Sequence, residues 1–422
     1  MRIADRTVLS WALYDWANSV FATTVMAGFF PVFFKEYWSA GASATVGTFR
    51  LGVANAGASV VILLLAPVLG AIADAGGARK RFLAFFATLG IVMSAGLYLV
   101  AHGAWVLAAV VYALAVIGYS GANVFYDALL VEVATPDHYH RVSALGYALG
   151  YLGGGLLLAL NVVMVQRPAW FGLTDAAQAV RIAFPLVAVW WAVFSVPLLR
   201  NVREHRTRPM RGAGHSVRRG LKQLAETLRH VRRLRFVGQF LVAYWLYIDG
   251  VDTVVRMAVN YGLELGFHAG DLLLALLVTQ FVGFPAAIVF GRLGQRWGPR
   301  ASIFVAIGVY MLVLVWAARM RDTTDFYGIA VAIGLVQGGI QSLSRSLYAR
   351  LIPPDKAAEF FGFYNMLGKF AAVLGPLLMG WVGWATGSPR LSILSLVSLF
   401  LAGGLALWFV DEEAGRLEAA RL

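Results

Sequence analysis

Asp15, Asp127, Asp249, Asp252, Arg256, Arg345 and Lys369 stand in stretches of chain that are otherwise apolar. Burying such a side chain in hydrocarbon costs at least ~2.5 kcal/mol, so each needs a partner or a wet cavity. Spacing sorts them, with their amide neighbours, into stripes. Asp15 and Asn18 are three apart, and Asn123 and Asp127 four apart. Asp249, Asp252 and Arg256 follow i, i+3, i+7; Gln337, Gln341 and Arg345 follow i, i+4, i+8; Asn365 and Lys369 are four apart. On helices each set shares one face. The chemistry this permits is recognition of a zwitterion: carboxylates for an ammonium, and Arg256, Arg345 or Lys369 for a carboxylate. A desolvated carboxyl also takes up a proton more readily. Catalytic patterns are missing. There is no cysteine, no H-E-x-x-H, G-x-S-x-G or P-loop, and the seven histidines lack metal-ligand spacing, His138 and His140 forming a loop H-Y-H. No cofactor or metal is expected.

The elements that position these residues follow from composition. Of 422 residues, 60% are hydrophobic and 14% charged, and mean hydropathy is +0.72. Apolar runs of membrane-spanning length recur along the chain, without the alternation of barrel strands. We predict an all-α integral membrane protein with twelve transmembrane helices, near 8–34, 51–73, 82–102, 105–130, 143–166, 182–199, 236–260, 271–290, 301–318, 325–349, 360–385 and 391–410. The first run begins near Val8 and is full length, so it reads as a span and not a cleaved signal. An even count puts both termini on one side. That side carries 25 of the 35 Lys and Arg, and the other carries 7. The excess assigns both termini of this multi-pass protein to the cytoplasm, and five Lys against thirty Arg point to a bacterial source and so to an inner (plasma) membrane. The excess also accounts for the formal charge of +13 by topology and attraction to membrane lipid, not nucleic acid. The predicted organisation is a six-helix bundle over 1–199, a basic linker over 200–235, a second six-helix bundle over 236–410 and a tail over 411–422. Residues 216–235 place apolar Val217, Leu221, Leu224, Leu228 and Val231 among basic ones, the pattern of an amphipathic helix on the membrane surface.

The two halves repeat. A shift of 218 lays 123–137 on 341–355, so that Pro136 meets Pro354, Gly150 meets Gly368 and Asp127 meets Arg345. Residues 70–79 match 291–300, with Gln295 where the first copy has Asp74. Trp11–Asn18 match 245–252. Two six-helix halves related by a pseudo-two-fold axis along the membrane normal are the layout of major facilitator transporters.

The segment from Gly70 through Asp74, Gly77 and Arg79 to Arg81 resembles the loop motif between helices 2 and 3 of that superfamily. Within it, S-W-A-L-Y-D-W-A-N-S (10–19), the pair Asp249–Gly250, G-G-I-Q-S-L-S-R-S-L-Y-A-R-L-I-P (338–353) and G-K-F-A-A-V-L-G-P (368–376) resemble the vacuolar amino-acid effluxer-like family. The resemblance implies an alternating-access secondary transporter that binds a small molecule, with amino acids as the substrate class; the desolvated carboxyls would let it couple to protons, and a monomer is expected. It implies that helices 1, 4, 7 and 10 line a central cavity, and that Asp74 and Arg79 belong to a cytoplasmic gate. Glu132 with Arg141, and Arg350 with Glu359, stand at matched positions with exchanged signs and are expected as further gate ion pairs. A multidrug or sugar carrier of the same superfamily is the first alternative. A membrane-embedded enzyme or receptor is the second, and it leaves the repeat unexplained.

Overall fold

Lipid offers no hydrogen bonds to a backbone, so an apolar segment crossing it must satisfy its own N–H and C=O groups. The computed structural model, which describes residues 5–204, 222, 234–264, 269–370 and 373–420, meets this with helices throughout. We number them α1 (Arg6–Trp38), α2 (Ala44–Gly76), α3 (Arg79–Leu99), α4 (Trp105–Val133), α5 (Tyr139–Gln166), α6 (Ala176–Asn201), α7 (Arg235–Glu264), α8 (Ala269–Trp297), α9 (Pro299–Arg319), α10 (Thr323–Leu351), α11 in two pieces (Ala357–Phe370 and Leu374–Thr386), α12 (Pro389–Trp408) and a short α13 (Glu412–Ala419). Each predicted span overlaps one of α1–α12. Among the described residues, ten are long and apolar enough to cross a membrane by composition alone; α7, with Asp249, Asp252 and Arg256 in its interior, and the divided α11 are the remaining two. Apart from residue 222, the linker over 205–233, including the amphipathic pattern at 216–235 up to Leu234, lies outside the described residues.

Local chemistry sets the helix ends. The Asp5 carboxylate accepts from Thr7 N at 3.0 Å and caps α1; Asp175, Asp322 and Asp411 do the same for α6, α10 and α13. Gly77, at φ +54°, turns the chain sharply between α2 and α3. Midway, α1 widens into a π-helix over Phe21–Phe29 and again over Phe34–Trp38, a form that concentrates at functional sites. The outer surface is apolar, with Leu312, Leu377 and Trp384 exposed. Asp15, Asp127, Asp249 and Arg345 are buried. This inside-out partition suits a lipid exterior.

The bundles α1–α6 and α7–α12 meet chiefly through α2 on α11, and through α5 on α8 and α10. Two glycines allow the first contact. A Cβ on Gly70 would run into the carbonyl of Ala358, and one on Gly362 would lie 2.7 Å from the carbonyl of Ala66. Inside the first bundle, a Cβ on Gly118 would strike the backbone of Gly90, whereas Gly57 faces open space.

Overpacking a fitted interface costs ~1–3 kcal/mol or more. Gly118→Leu is therefore expected to lower the thermal midpoint in detergent by several degrees, while Gly57→Leu leaves it within a degree. Equal melting of the two variants would contradict the α3–α4 contact described here.

Candidate functional site

Arg345, near the end of α10, is 1% exposed and reaches out of its own bundle into the other. Its Nη1 donates to Asp127 Oδ1 at 3.1 Å and to Asp15 Oδ2 at 3.4 Å. Its Nη2 donates to Asp15 Oδ2 at 3.4 Å and to the Ser143 carbonyl at 2.9 Å, and its Nε donates to Ser143 Oγ at 2.9 Å. The guanidinium carbon also lies over three rings, 4.9 Å from the centroid of Trp11, 5.3 Å from Tyr126 and 4.4 Å from Tyr147, each a cation–π contact. The carboxylates are held in turn: the Tyr126 hydroxyl donates to Asp15 Oδ2 at 2.7 Å, and Asn365 Nδ2 donates to Asp127 Oδ2 at 3.1 Å. Gly146 makes room for the cluster, since a Cβ there would sit 2.6 Å from Asp15 Oδ2 and 3.1 Å from Arg345 Nη2.

The other predicted residues divide. Asn18 Nδ2 donates to Asn123 Oδ1 at 2.6 Å, tying α1 to α4 one turn beyond the Asp15 cluster. Asp249 is fully buried against α11. Its carboxylate accepts from Leu374 N at 2.9 Å, Gly375 N at 2.8 Å and Thr253 Oγ1 at 3.1 Å. In this state it caps the second piece of α11, the start of a helix needing an acceptor for its free N–H groups. Asp252, Gln337 and Gln341 are half-buried. The side chains of Arg256 and Lys369 lie outside the described residues.

A second cluster forms where both termini emerge. Arg79 Nε bonds Asp74 Oδ1 at 2.7 Å, and its Nη1 bonds Glu132 Oε1 at 2.9 Å. Its Nη2 crosses to the carbonyls of Pro354 at 2.8 Å and Asp355 at 3.2 Å. Asp74 crosses as well, accepting from Ala358 N at 3.1 Å and Glu359 N at 2.8 Å, which caps α11 from the opposite bundle. Glu204, beyond α6, accepts from Arg79 N and Lys80 N at 3.0 and 2.6 Å and so caps α3. A cavity of about 280 Å³ lies among Asp74, Arg79, Glu132, Glu204 and Asp355. Two expected pairings give way to others. Glu132 pairs with Arg79 while Arg141 is exposed, and Arg350 pairs with Glu412 at 2.7 Å, because α13 folds back onto the end of α10. Buried Glu359 contributes its backbone N–H to Asp74. His140 bridges the bundles, its Nδ1 2.8 Å from Ser346 Oγ and its Nε2 3.2 Å from Arg350 Nη1. Polar bonds between bundles thus gather in the half nearer the termini, and this state is closed on that side.

Residues 53–420 match the family described as Vacuole effluxer Atg22 like. The chain belongs to that family. It is 39% identical to the MFS-type transporter YxiO of Bacillus subtilis over 407 residues, 96% of this chain and 94% of that one. It is 28% identical to autophagy-related protein 22 of Yarrowia lipolytica over 325 residues, which span 69% of this chain but only 54% of the fungal protein. Among solved structures, the fold superposes on the proton:xylose symporter XylE with a TM-score of 0.70 at 15% identity, covering 99% of this chain and 97% of that one. It superposes on the human organic anion transporter MFSD10 with a TM-score of 0.69 at 14% identity, covering 95% and 99%. The fold is that of a major facilitator transporter, and the protein is a transporter, not an enzyme.

For this Atg22-like transporter, charge sets Asp15, Asp127 and Arg345 apart in the sequence, whereas Ser143, Tyr147, Glu204 and Glu412 carry no such mark and His140 stands out only as part of H-Y-H. Ser143 and Tyr147 carry one signal: with Gly146 and Gly150 they lie on one face of α5. Nothing in the sequence marks Glu204 or Glu412 among the other surface carboxylates.

Hydrogen bonds to charged groups are worth ~1.5–3 kcal/mol. Removing the Asp74 carboxylate therefore raises the population open on the termini side about tenfold or more. The chain has no native cysteine, so a thiol from Ser342→Cys, buried between the bundles, reports that opening. We expect Asp74→Ala to speed maleimide labelling of this thiol about tenfold; an unchanged rate would remove Asp74 from the closure. Asp249→Ala should instead lower thermal stability by several degrees, through the loss of the α11 cap.

Proposed function

We propose that this transporter moves a small zwitterion, an amino acid in the first instance, by proton-coupled alternating access in a bacterial plasma membrane, with both termini in the cytoplasm. The observation that carries the reading is Arg345 held between Asp15 and Asp127 across the bundle interface. Separating the bundles on the termini side withdraws the guanidinium and leaves opposite charges on two facing walls. Unpaired buried charges are strongly destabilising, by ~3–5 kcal/mol where one partner of a pair is removed. A zwitterion restores both: its ammonium takes the place of the guanidinium at Asp15 and Asp127, and its carboxylate takes the place of the aspartates at Arg345. The π-widened α1 and the Asn18–Asn123 bond lie one turn further in, where the body of the solute would rest.

Two carboxylates share one guanidinium, so a single proton balances the cluster. A pH gradient is then the natural drive. The family description names release from a vacuole, whose lumen is topologically outside the cytoplasm, and so supports movement toward the cytoplasm; the basic excess on the termini side supports the orientation. On that orientation this state is closed toward the cytoplasm. Asp74 and Arg79 form the cytoplasmic gate, with Glu132, Arg350 and the α11 start that carries Glu359, while Arg141 rims it.

The test is flux of labelled amino acids in proteoliposomes with and without an imposed pH gradient. Asp15→Asn and Arg345→Lys are each expected to lower the rate about a hundredfold, ~3 kcal/mol of lost pairing, with the protein still folded. Undiminished flux in both variants would end the assignment of the cluster to the substrate path. Flux indifferent to the gradient would remove the proton.

A further inference from the structure

The partners of Arg345 named above divide unevenly between the halves. Trp11, Asp15, Tyr126, Asp127, Ser143 and Tyr147 all belong to α1, α4 and α5 of the first bundle; from the second come Arg345 and, bonded to the far oxygen of Asp127, the neutral amide of Asn365. The receiving site is also built without Arg345. Trp11 Nε1 donates to the Tyr126 carbonyl at 3.0 Å, the two rings stack at 4.5 Å, and the Tyr126 hydroxyl fixes Asp15. Two carboxylates, a serine hydroxyl, a backbone carbonyl and three aromatic faces around one planar cation make a guanidinium receptor. Among the described residues, the cation bonded to either carboxylate is Arg345 and no Lys or Arg of the first bundle.

We propose that this cage is the transporter's recognition site for an organic cation head, guanidinium or primary ammonium, and that Arg345 is its internal ligand, filling the cage whenever the termini side is closed. This rests on the transport reading and sharpens it. Selectivity lies in the cationic head, and a carboxylate on the solute is dispensable. Basic amino acids enter side chain first or amine first, and amines with no carboxylate compete for the same place. The cage carries two negative charges once Arg345 withdraws, so it favours a cation over a neutral group of the same shape. A solute seated there keeps Arg345 out and holds the termini side open.

The cysteine-free chain allows a direct test in inside-out vesicles, where the termini side faces the medium. With the Ser342→Cys thiol as reporter, millimolar agmatine or methylguanidinium is expected to raise the maleimide labelling rate several-fold. N-methylurea, similar in shape but uncharged, should leave it unchanged. The same cations should have no effect when Asp15→Asn and Asp127→Asn are combined with the reporter. A rate that responds to acid but not to agmatine would make the proton the sole occupant and overturn the proposal, as would equal responses to agmatine and N-methylurea. Purified Arg345→Ala gives an independent arm. Methylguanidinium at 10 mM, on the order of weak single-site binding, should raise its thermal midpoint more than tetramethylammonium does, or restore a monodisperse protein if the variant is otherwise unstable; neither effect would count against the cage. Amino-acid flux by the unaltered protein is measured separately. Flux without cation-induced opening sinks only the cage, while cation-induced opening with no flux of any solute sinks the transport reading.

Discussion

Two carboxylates from one bundle closing on a guanidinium from the other is the constraint around which the molecule is arranged. Removing three charged side chains from water is expensive, and a buried ion pair seldom repays its desolvation in full. The cluster therefore adds little to stability, and its consequence is positional. Arg345 satisfies its donors only when α10 lies against α1, α4 and α5 in one register, and every neighbouring feature serves that register. Gly146 leaves space for the Asp15 carboxylate and the guanidinium together. Ser143 supplies both a hydroxyl and a carbonyl, and itself donates to the Ser342 carbonyl at 2.7 Å. The aromatic rings exclude water, which raises the cost of separating the charges without a substitute.

Elsewhere in the molecule the same chemistry appears in a different form. Three carboxylates cap helices that are not their own: Glu204 caps α3, Asp74 caps the first piece of α11, and Asp249 caps the second. Two of the three act on α11, one from each bundle. That helix is thus pinned to α2 across the interface and to α7 within its own half. Release of the Asp74 bonds frees its first turn, while Asp249 keeps its second piece with the C-terminal bundle. The second copy of the loop motif gives no equivalent latch. Gln295 offers one amide bond to the Asp137 carbonyl at 2.9 Å, and Arg300 turns to the Val410 carbonyl inside its own bundle. Closure on this side is therefore carried mainly by Asp74 and Arg79.

Much of this was legible in the chain because lipid makes patterning severe. A span must be apolar for about twenty residues, so twelve segments and the exceptional charges within them stand out. The limits were equally physical. Asp249 and Asp252 share a helical stripe, and spacing alone does not reveal that one of them spends its oxygens on the backbone of α11. Partner choice at the gate depended on chain folded back from elsewhere: α13 brings Glu412 to Arg350, and the turn at Gly77 brings Arg79 to Glu132, in preference to the pairings that sequence proximity favoured. Ser143 and Tyr147 look like ordinary polar residues of an apolar helix until α10 delivers a guanidinium beside them.

The repeat explains why an internal ligand arises at this point. Asp127 and Arg345 are 218 positions apart, the shift that relates the halves, and they touch at 3.1 Å. Residues related by a two-fold axis meet only near that axis, and identical residues there would place like charges together. Exchange of sign between the copies turns the repulsion of a perfect repeat into attraction. Asn365 occupies the position matched to Tyr147, and both lie at the same cluster, one bonding Asp127 and the other facing Arg345. Divergence of the halves has thus divided one function between them. The first half keeps the receptor, the second supplies the group that fills it, and contact between the two at the axis registers whether the termini side is closed.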